Sequence, residues 1–262
     1  MAWDPAQYLK FEAERARPFH DLVARIVVES PQRVVDLGCG PGNATATLLD
    51  RWPEALVEGV DSSPEMIASA TALAGPQLRF SVGGIETWQP GGPVDVIVSN
   101  AALQWVPSHV DLLAGWMAAL TKGGAMAFQV PSNVDSGAAS AFRTVAARPR
   151  WADRLGAVAA SWGPSQSGGV VRTGEEYVDL LAGLGYQVDA WQTTYFHVLP
   201  GEDPVLEWYS GTGLRPFLAA LPESEHGEYR AEVAAELRAA FPTRSYGTIL
   251  PFRRLFVIAY RA

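Results

Sequence analysis

Through its first half the chain alternates short apolar runs with mixed, helix-like stretches. Runs at about 33–37, 56–60, 78–82, 94–99 and 124–130 predict strands, and the segments 43–51, 64–73 and 108–120 predict helices. Strand and helix in turn is the pattern of βαβ units. Residues 1–130 are therefore expected to build a parallel sheet whose ligand lies at the carboxyl ends of the strands, where the strand order reverses. That rim gathers Asp36, Asp61, the segment Gly83 to Glu86, and Ser99-Asn100.

After residue 130 the pattern changes to Ala- and Arg-rich helical material from about 136 to 160, then a Gly/Ser loop from Gly163 to Gly169. Thr173-Gly174-Glu175-Glu176 has the spacing of a capping box and opens a helix that ends near Gly183 or Gly185. A strand from Tyr186 to Leu199, helices near 203–210 and 224–240, and a last strand from Arg254 to Tyr260 follow. At the other end Asp4-Pro5 is a helix start, with Asp as N-cap and Pro at the first position, leading into Gln7 to Ala16. The expected organisation is one domain over residues 1–262, in which 131–185 and 200–245 are lid insertions on the half formed by 1–130.

Candidate chemistry is concentrated in Val34-Val35-Asp36-Leu37-Gly38-Cys39-Gly40-Pro41-Gly42-Asn43, an apolar strand that turns through three glycines into a helix. Gly38 and Gly40 allow backbone angles and a close ligand approach that a side chain would block. The N–H groups that open the helix near Asn43 favour an anionic group such as a cofactor carboxylate. A dinucleotide fingerprint requires a third glycine where Asn43 stands, so the spacing departs from the NAD pattern; a dehydrogenase remains the rival reading. Asp36, just before the first glycine, repels a pyrophosphate and welcomes a cation. S-adenosylmethionine carries a sulfonium and an ammonium and no phosphate. Asp61 ends the next strand, placed either to accept from ribose hydroxyls or to cap a helix. Ser62 or Ser63 can N-cap that helix, with Pro64 in its first turn, and Met66 packs either on an adenine face or in the core.

Asp36, Gly38, Gly40, Gly42 and Asp61 match the D-x-G-x-G-x-G turn and second-strand acid of the class I S-adenosylmethionine-dependent methyltransferases, which this chain resembles. The resemblance implies an α/β, Rossmann-like seven-stranded sheet, mostly parallel with the last strand antiparallel, carrying helical lid insertions that bind the acceptor. It implies S-adenosyl-L-methionine as cofactor, held by Asp36, Gly38, Gly40 and Asn43 at the first turn. Asp61, Ser62 and Met66 follow the second strand, and Ile85 and Asn100 complete the rim. Where many of these enzymes place an acid against the adenine amino group, this chain has Gly83-Gly84-Ile85, which leaves that contact to backbone or Glu86. Trp3-Asp4-Pro5, Phe11 to Pro18, Asn100 to Trp105, Thr193 to His197 and Thr212 to Pro216 further resemble one branch of the family, whose members esterify a carboxylate of a small polycarboxylic acid. In that branch the N-terminal segment covers the bound cofactor.

Composition narrows the picture modestly. At 262 residues and 48% hydrophobic content the chain suits one large α/β domain. No apolar run reaches the ~18 residues of a membrane span and the N-terminus has no signal-like h-region, so a soluble, cytoplasmic protein is expected. A net charge of −8 argues against nucleic-acid binding. The single cysteine, Cys39, excludes an internal disulfide and is expected to fill a small space between glycines. The four histidines show no ligand spacing, so no metal is expected.

Methyl transfer from a sulfonium is an in-line displacement that needs alignment and exclusion of water. A carboxylate acceptor with pKa near ~4 is already ionised at neutral pH, so no catalytic base is expected. What a small anionic acceptor does need is donors and cations. Arg215, in the stiff turn Gly213-Leu214-Arg215-Pro216 beside Trp208 and Tyr209, is the first candidate; a surface ion pair or a helix C-cap is its structural alternative. Tyr195 and His197, two apart on a strand, can point to one face and donate to an oxygen. The family resemblance adds Arg15 and Arg254 as acceptor-binding cations, and Trp105, just after the Asn100 rim, is placed to wall the methyl pocket, with a core aromatic as its alternative. A methyltransferase for another small acceptor, hydroxyl, amine or carbon, is the second reading.

Overall fold

The computed structural model describes residues 12–133, 135–162 and 170–262. The expected helix start at Asp4-Pro5 and the Gly163–Gly169 loop lie outside them. Seven strands, β1 (Arg33–Leu37), β2 (Leu56–Asp61), β3 (Leu78–Val82), β4 (Val94–Asn100), β5 (Leu120–Pro131), β6 (Gln187–Leu199) and β7 (Thr248–Tyr260), form one sheet in the order β3-β2-β1-β4-β5-β7-β6. The first five are parallel. β7 runs against β5: Gly123 N donates to Arg261 O at 2.8 Å and Ser132 N to Arg253 O at 3.0 Å, so residue numbers rise on one strand as they fall on the other. Val34, Val35 and Leu37 are wholly buried, as a central strand covered on both faces requires.

The sheet order places the strand reversal between β1 and β4, and the glycine turn sits there. β1 and β2 pair with Leu37 opposite Val60. Gly38 N and Cys39 N then both donate to Val60 O, at 2.8 and 3.1 Å, and Ser99 Oγ donates to Leu37 O at 2.7 Å. Residues 36–40, 60–61 and 99–100 are thereby fixed side by side at the carboxyl ends of three strands.

The chain packs as two compact units. The sheet unit contains α1 (Glu12–Ala24), α2 (Asn43–Ala46), α3 (Leu48–Arg51), α4 (Pro64–Ala70), α5 (His109–Ala119) and, after an excursion of the chain, α8 (Gly174–Gly183). The helical unit, Ser132–Arg172 with Thr193–Arg254, contains α6 (Gly137–Ala146), α7 (Ala152–Ser161), α9 (Pro204–Ser210), α10 (Arg215–Ala219) and α11 (Glu223–Ala240). The outer parts of β6 and β7 belong to this second unit. The sequence pattern assigns residues 131–185 to the insertion, whereas α8 falls with the sheet: its buried Tyr177 bonds His109 of α5, 2.8 Å from hydroxyl to Nε2. Its capping box forms as expected, Glu176 N to Thr173 Oγ1 at 3.2 Å and Thr173 N to the Glu176 carboxylate at 2.6 Å.

Several boundaries differ for physical reasons. α1 runs on through Pro18, past the expected end at Ala16, because Phe19, Leu22 and Val23 form a buried face at helical spacing and α1 packs on β5. A proline removes one donor, and the burial of that face outweighs it. The expected helix at 43–51 breaks at Thr47, whose hydroxyl donates to Ala44 O at 2.7 Å. The stretch 136–160 is two helices parted by Arg148-Pro149-Arg150. β7 begins at Thr248, six residues before the expected Arg254, because the exposed Pro251 argues locally against a strand that tertiary pairing nevertheless extends.

The helical unit has an aromatic core. Phe142 stacks on Phe217 with centroids 5.3 Å apart, Phe217 stacks on Tyr229, and Trp151 meets Tyr229 edge-on. Trp162 packs so closely on Gly213 that a Cβ there would lie 2.0 Å from its ring. Along one side Arg148, Arg150 and Arg154 pair with Glu232, Glu228 and Glu225 of α11. Such exposed pairs contribute about 0–1 kcal/mol each, so the apolar core dominates.

Candidate functional site

The glycine turn is built by three left-handed residues. Gly38, Gly40 and Gly42 have φ of 83°, 56° and 83°, angles that an L side chain adopts only with strain. Gly38 has a second constraint, because a Cβ there would lie 2.3 Å from Ala102 and 3.3 Å from Ile85. The β4 rim therefore closes directly on the turn. Gly42 and Gly59 make room for Phe80, whose ring a Cβ on either would strike within 2.8 Å. Cys39 fills the space above Gly59 as expected, and burial pushes its thiol far above the usual range, so it is inert.

A cavity of about 170 Å³ opens at this turn, lined by Arg15, Asp36, Gly38, Gly40, Asn43 and Asn100 among others. Asp36 is 2% exposed. Its Oδ2 accepts from Thr45 Oγ1 at 2.6 Å, and its Oδ1 is buried with no hydrogen bond among the described residues. Burial is the largest influence on this carboxyl; against the lowering effect of Thr45, and with Asp61 adding repulsion, it is pushed up to about 7. Asn100 Oδ1 on the same wall is likewise buried without a donor among the described residues. Two such oxygens, one of them on an acid, suit a cationic donor.

Asp61 is half-buried and occupied at both oxygens: Oδ2 accepts from Gly40 N and Oδ1 from Ser63 N, each at 2.9 Å. It therefore ties the β1 turn to the start of α4. A carboxylate has about four acceptor positions, so both oxygens keep capacity for ribose hydroxyls. Of the two serines, Ser63 is the N-cap, its Oγ accepting from Met66 N at 3.2 Å, while Ser62 is exposed. Met66 and Ile85 are buried, at 3% and 7% exposure. Glu86, next after Ile85, is exposed, and Gly83 and Gly84 precede them.

The expected acceptor residues divide between the units. Arg15 and Trp105 belong to the sheet unit; Tyr195, His197, Arg215 and Arg254 belong to the helical unit. Tyr195 and His197 are buried on one face of β6 while Thr194, Phe196 and Val198 are exposed on the other, the alternation that their spacing predicts. His197 lies between Tyr195 and Trp208, stacked on the Trp208 ring at 4.7 Å. Phe252 touches His197, Trp208 and Tyr209, and the Arg254 guanidinium lies 4.4 Å over its ring. Arg254 is only 5% exposed. Arg215 opens α10 with Pro216 behind it and is half-buried, which removes the C-cap alternative. Trp105 is 38% exposed at the end of the turn Leu103–Trp105, so it is not a core aromatic.

Comparison with known proteins decides what this site belongs to. The methyltransferase domain family matches residues 34–124, which hold the glycine turn and the first strands. Over nearly the whole chain the sequence is 46% identical to trans-aconitate 2-methyltransferase of Streptomyces avermitilis, covering 99% of this chain and 97% of that one. It is 48% identical to the enzyme of the same name from Mycolicibacterium gilvum, covering 98% of each. The chain belongs to the trans-aconitate 2-methyltransferase family. Solved structures agree at the level of fold. A putative methyltransferase from Bacillus halodurans aligns with a TM-score of 0.59 at 12% identity, over 94% of this chain and 99% of that one. An S-adenosylmethionine-dependent methyltransferase from Thiobacillus denitrificans, in complex with S-adenosyl-L-homocysteine, aligns with a TM-score of 0.54 at 18% identity over all of both chains.

S-adenosylmethionine is the cofactor of this family member, and the orphaned Asp36 Oδ1 in a small cavity at the strand reversal fits its cationic end. Thr45, which orients Asp36, was not among the expected residues, and Arg15, expected with the acceptor, lines the glycine-turn cavity. The spacing Asp36 to Thr45 spans the turn and the first turn of α2, a signal visible only once the turn's geometry is known.

Proposed function

We propose that this protein transfers the methyl group of S-adenosylmethionine to one carboxylate of trans-aconitate, giving a monomethyl ester and S-adenosylhomocysteine. The observation that carries the acceptor class is the buried Arg254, a guanidinium at 5% exposure stacked on Phe252 beside His197, Trp208 and Tyr209. A desolvated cation in an aromatic setting suits a planar, conjugated polycarboxylate, which offers it both charge and a flat face. Identity to curated relatives of that name along the whole chain supports the same acceptor.

The cofactor supplies a methyl group already activated on sulfur. This chain's residues supply placement. Asp36 and Asn100 offer acceptor oxygens to the cofactor's ammonium, Asp61 to its ribose, and Ile85 and Met66 apolar packing to its base. Arg215, Arg254, Tyr195 and His197 neutralise and orient the carboxylates that do not react, and Trp105 shields the methyl from water. An ionised carboxylate gives up no proton on attack, so none of these residues acts as a base. The residues of the helical unit serve to bind the acceptor, and the reaction takes place in the cytoplasm.

Arg215→Ala tests the reading. It should lower kcat/KM for trans-aconitate by about 30- to 5,000-fold, the cost of ~2–5 kcal/mol for losing one partner of a desolvated charge pair. Affinity for S-adenosylhomocysteine should stay within about twofold, a shift of under ~0.5 kcal/mol. Full activity in this variant removes Arg215 from the site.

A further inference from the structure

The cavity at the glycine turn is lined by a buried cation and a buried acid. Arg15 of α1 is 8% exposed and Asp36 is 2% exposed, and both line it. Asp36 Oδ2 accepts from Thr45, and its Oδ1 has no hydrogen bond among the described residues, so none of these uses up that oxygen. At about 170 Å³ the space is smaller than the roughly 300–1,000 Å³ of a whole small-molecule site, and holds one end of a ligand. A ligand end that carries an anion and a cation on one carbon, an α-amino acid, matches a cavity lined by both a guanidinium and a carboxyl. A polycarboxylate presents only anions, and Asp36 and Asn100 Oδ1, which has no donor among the described residues, would repel them.

We propose that Arg15 grips the α-carboxylate at the amino-acid end of the cofactor rather than a carboxylate of the acceptor. The proposal rests on the methyltransferase reading of the glycine turn and adds a residue to it. A guanidinium presents a planar fork that matches a carboxylate with two parallel bonds. Arg15 then makes the enzyme discriminate S-adenosyl compounds by their carboxylate, while Asp36 answers their ammonium. Recognition of the acceptor is left to the cations of the helical unit.

Calorimetry with two probes separates these assignments: S-adenosylhomocysteine, and its decarboxylated analogue, which keeps the adenosine, the thioether and the amine. Wild-type protein should bind S-adenosylhomocysteine about 10- to 100-fold more tightly than the analogue, the worth of a hydrogen-bonded charge. Arg15→Gln should lose that factor for S-adenosylhomocysteine and leave the analogue within about twofold, ~0.4 kcal/mol. Arg15→Lys should recover part of the loss, and it carries the same comparison if the Gln variant does not fold by circular dichroism. Equal weakening of both probes, or no weakening with a raised KM for trans-aconitate, overturns the proposal. Wild-type protein that binds neither probe overturns the methyltransferase reading instead.

Discussion

Replacing Asp36 by Asn should make the ligand-free protein more stable at pH 8 and a poorer binder of S-adenosylhomocysteine. A carboxyl that titrates at about 7 in the folded protein, against an ordinary value of 3.8, sets the magnitude. Its folded pKa is raised, so between those values the unfolded chain has lost a proton that the folded chain still holds. Stability therefore falls as pH rises through that window, at about 1.4 kcal/mol per pH unit, or roughly 4 kcal/mol in all. About 3 kcal/mol of it lies between pH 5 and 8. The amide of the Asp36→Asn variant does not titrate and can still accept from Thr45, so the variant escapes the loss. His20 and Cys39 line the same cavity, and subtracting the variant from the wild type removes what they contribute to both. The assay is urea unfolding of both ligand-free proteins at pH 5 and pH 8, with calorimetry of S-adenosylhomocysteine at pH 8. The gap between variant and wild type should widen in the variant's favour by about 3 kcal/mol from pH 5 to 8, while the variant's affinity for ligand drops. A gap that stays constant, or moves the other way, refutes the account of Asp36 as a buried acid held ready for a cation.

Asp61→Ala should weaken S-adenosylhomocysteine binding by about 1.5–3 kcal/mol, through loss of charge-assisted bonds to the ribose. Because Asp61 also accepts from Gly40 N and Ser63 N, the same variant should unfold at lower urea; unchanged affinity with lowered stability would leave Asp61 a capping residue alone. Arg215→Lys keeps the charge of the wild type but not its fork, so its kcat/KM for trans-aconitate should fall nearer to that of Arg215→Ala than to the wild type; a near-wild-type value would show that charge without geometry suffices.

The cofactor half was legible in the sequence because its signals are local. An apolar strand, an acid, and glycines at fixed spacing specify a turn whose backbone angles only glycine takes easily, and the structure places Gly38, Gly40 and Gly42 at positive φ. Ser63 as N-cap and the capping box at Thr173 were readable for the same reason. What the sequence concealed depends on contacts between distant residues. The destination of Arg15 is set by the buried face of α1 against β5, and α1 continues through a proline that local rules treat as a stop. Phe80 explains Gly42 and Gly59 from 38 and 21 residues away, and Trp162 explains Gly213. The pairing of Arg254 with Phe252 needed β7 to start at Thr248, which Pro251 disguised.

The atom that receives the methyl group distinguishes ester formation from transfer to oxygen of an alcohol or to nitrogen. Purified protein is incubated with S-adenosylmethionine labelled in its methyl group and, separately, with trans-aconitate, other di- and tricarboxylates, and hydroxyl and amine acceptors of similar size. Label should appear in a base-labile monomethyl ester of trans-aconitate, with kcat/KM for that acceptor above those of the other carboxylates and no transfer to hydroxyls or amines. Label in an alkali-stable ether or amine, or an equal rate on every acid offered, would contradict the proposed reaction.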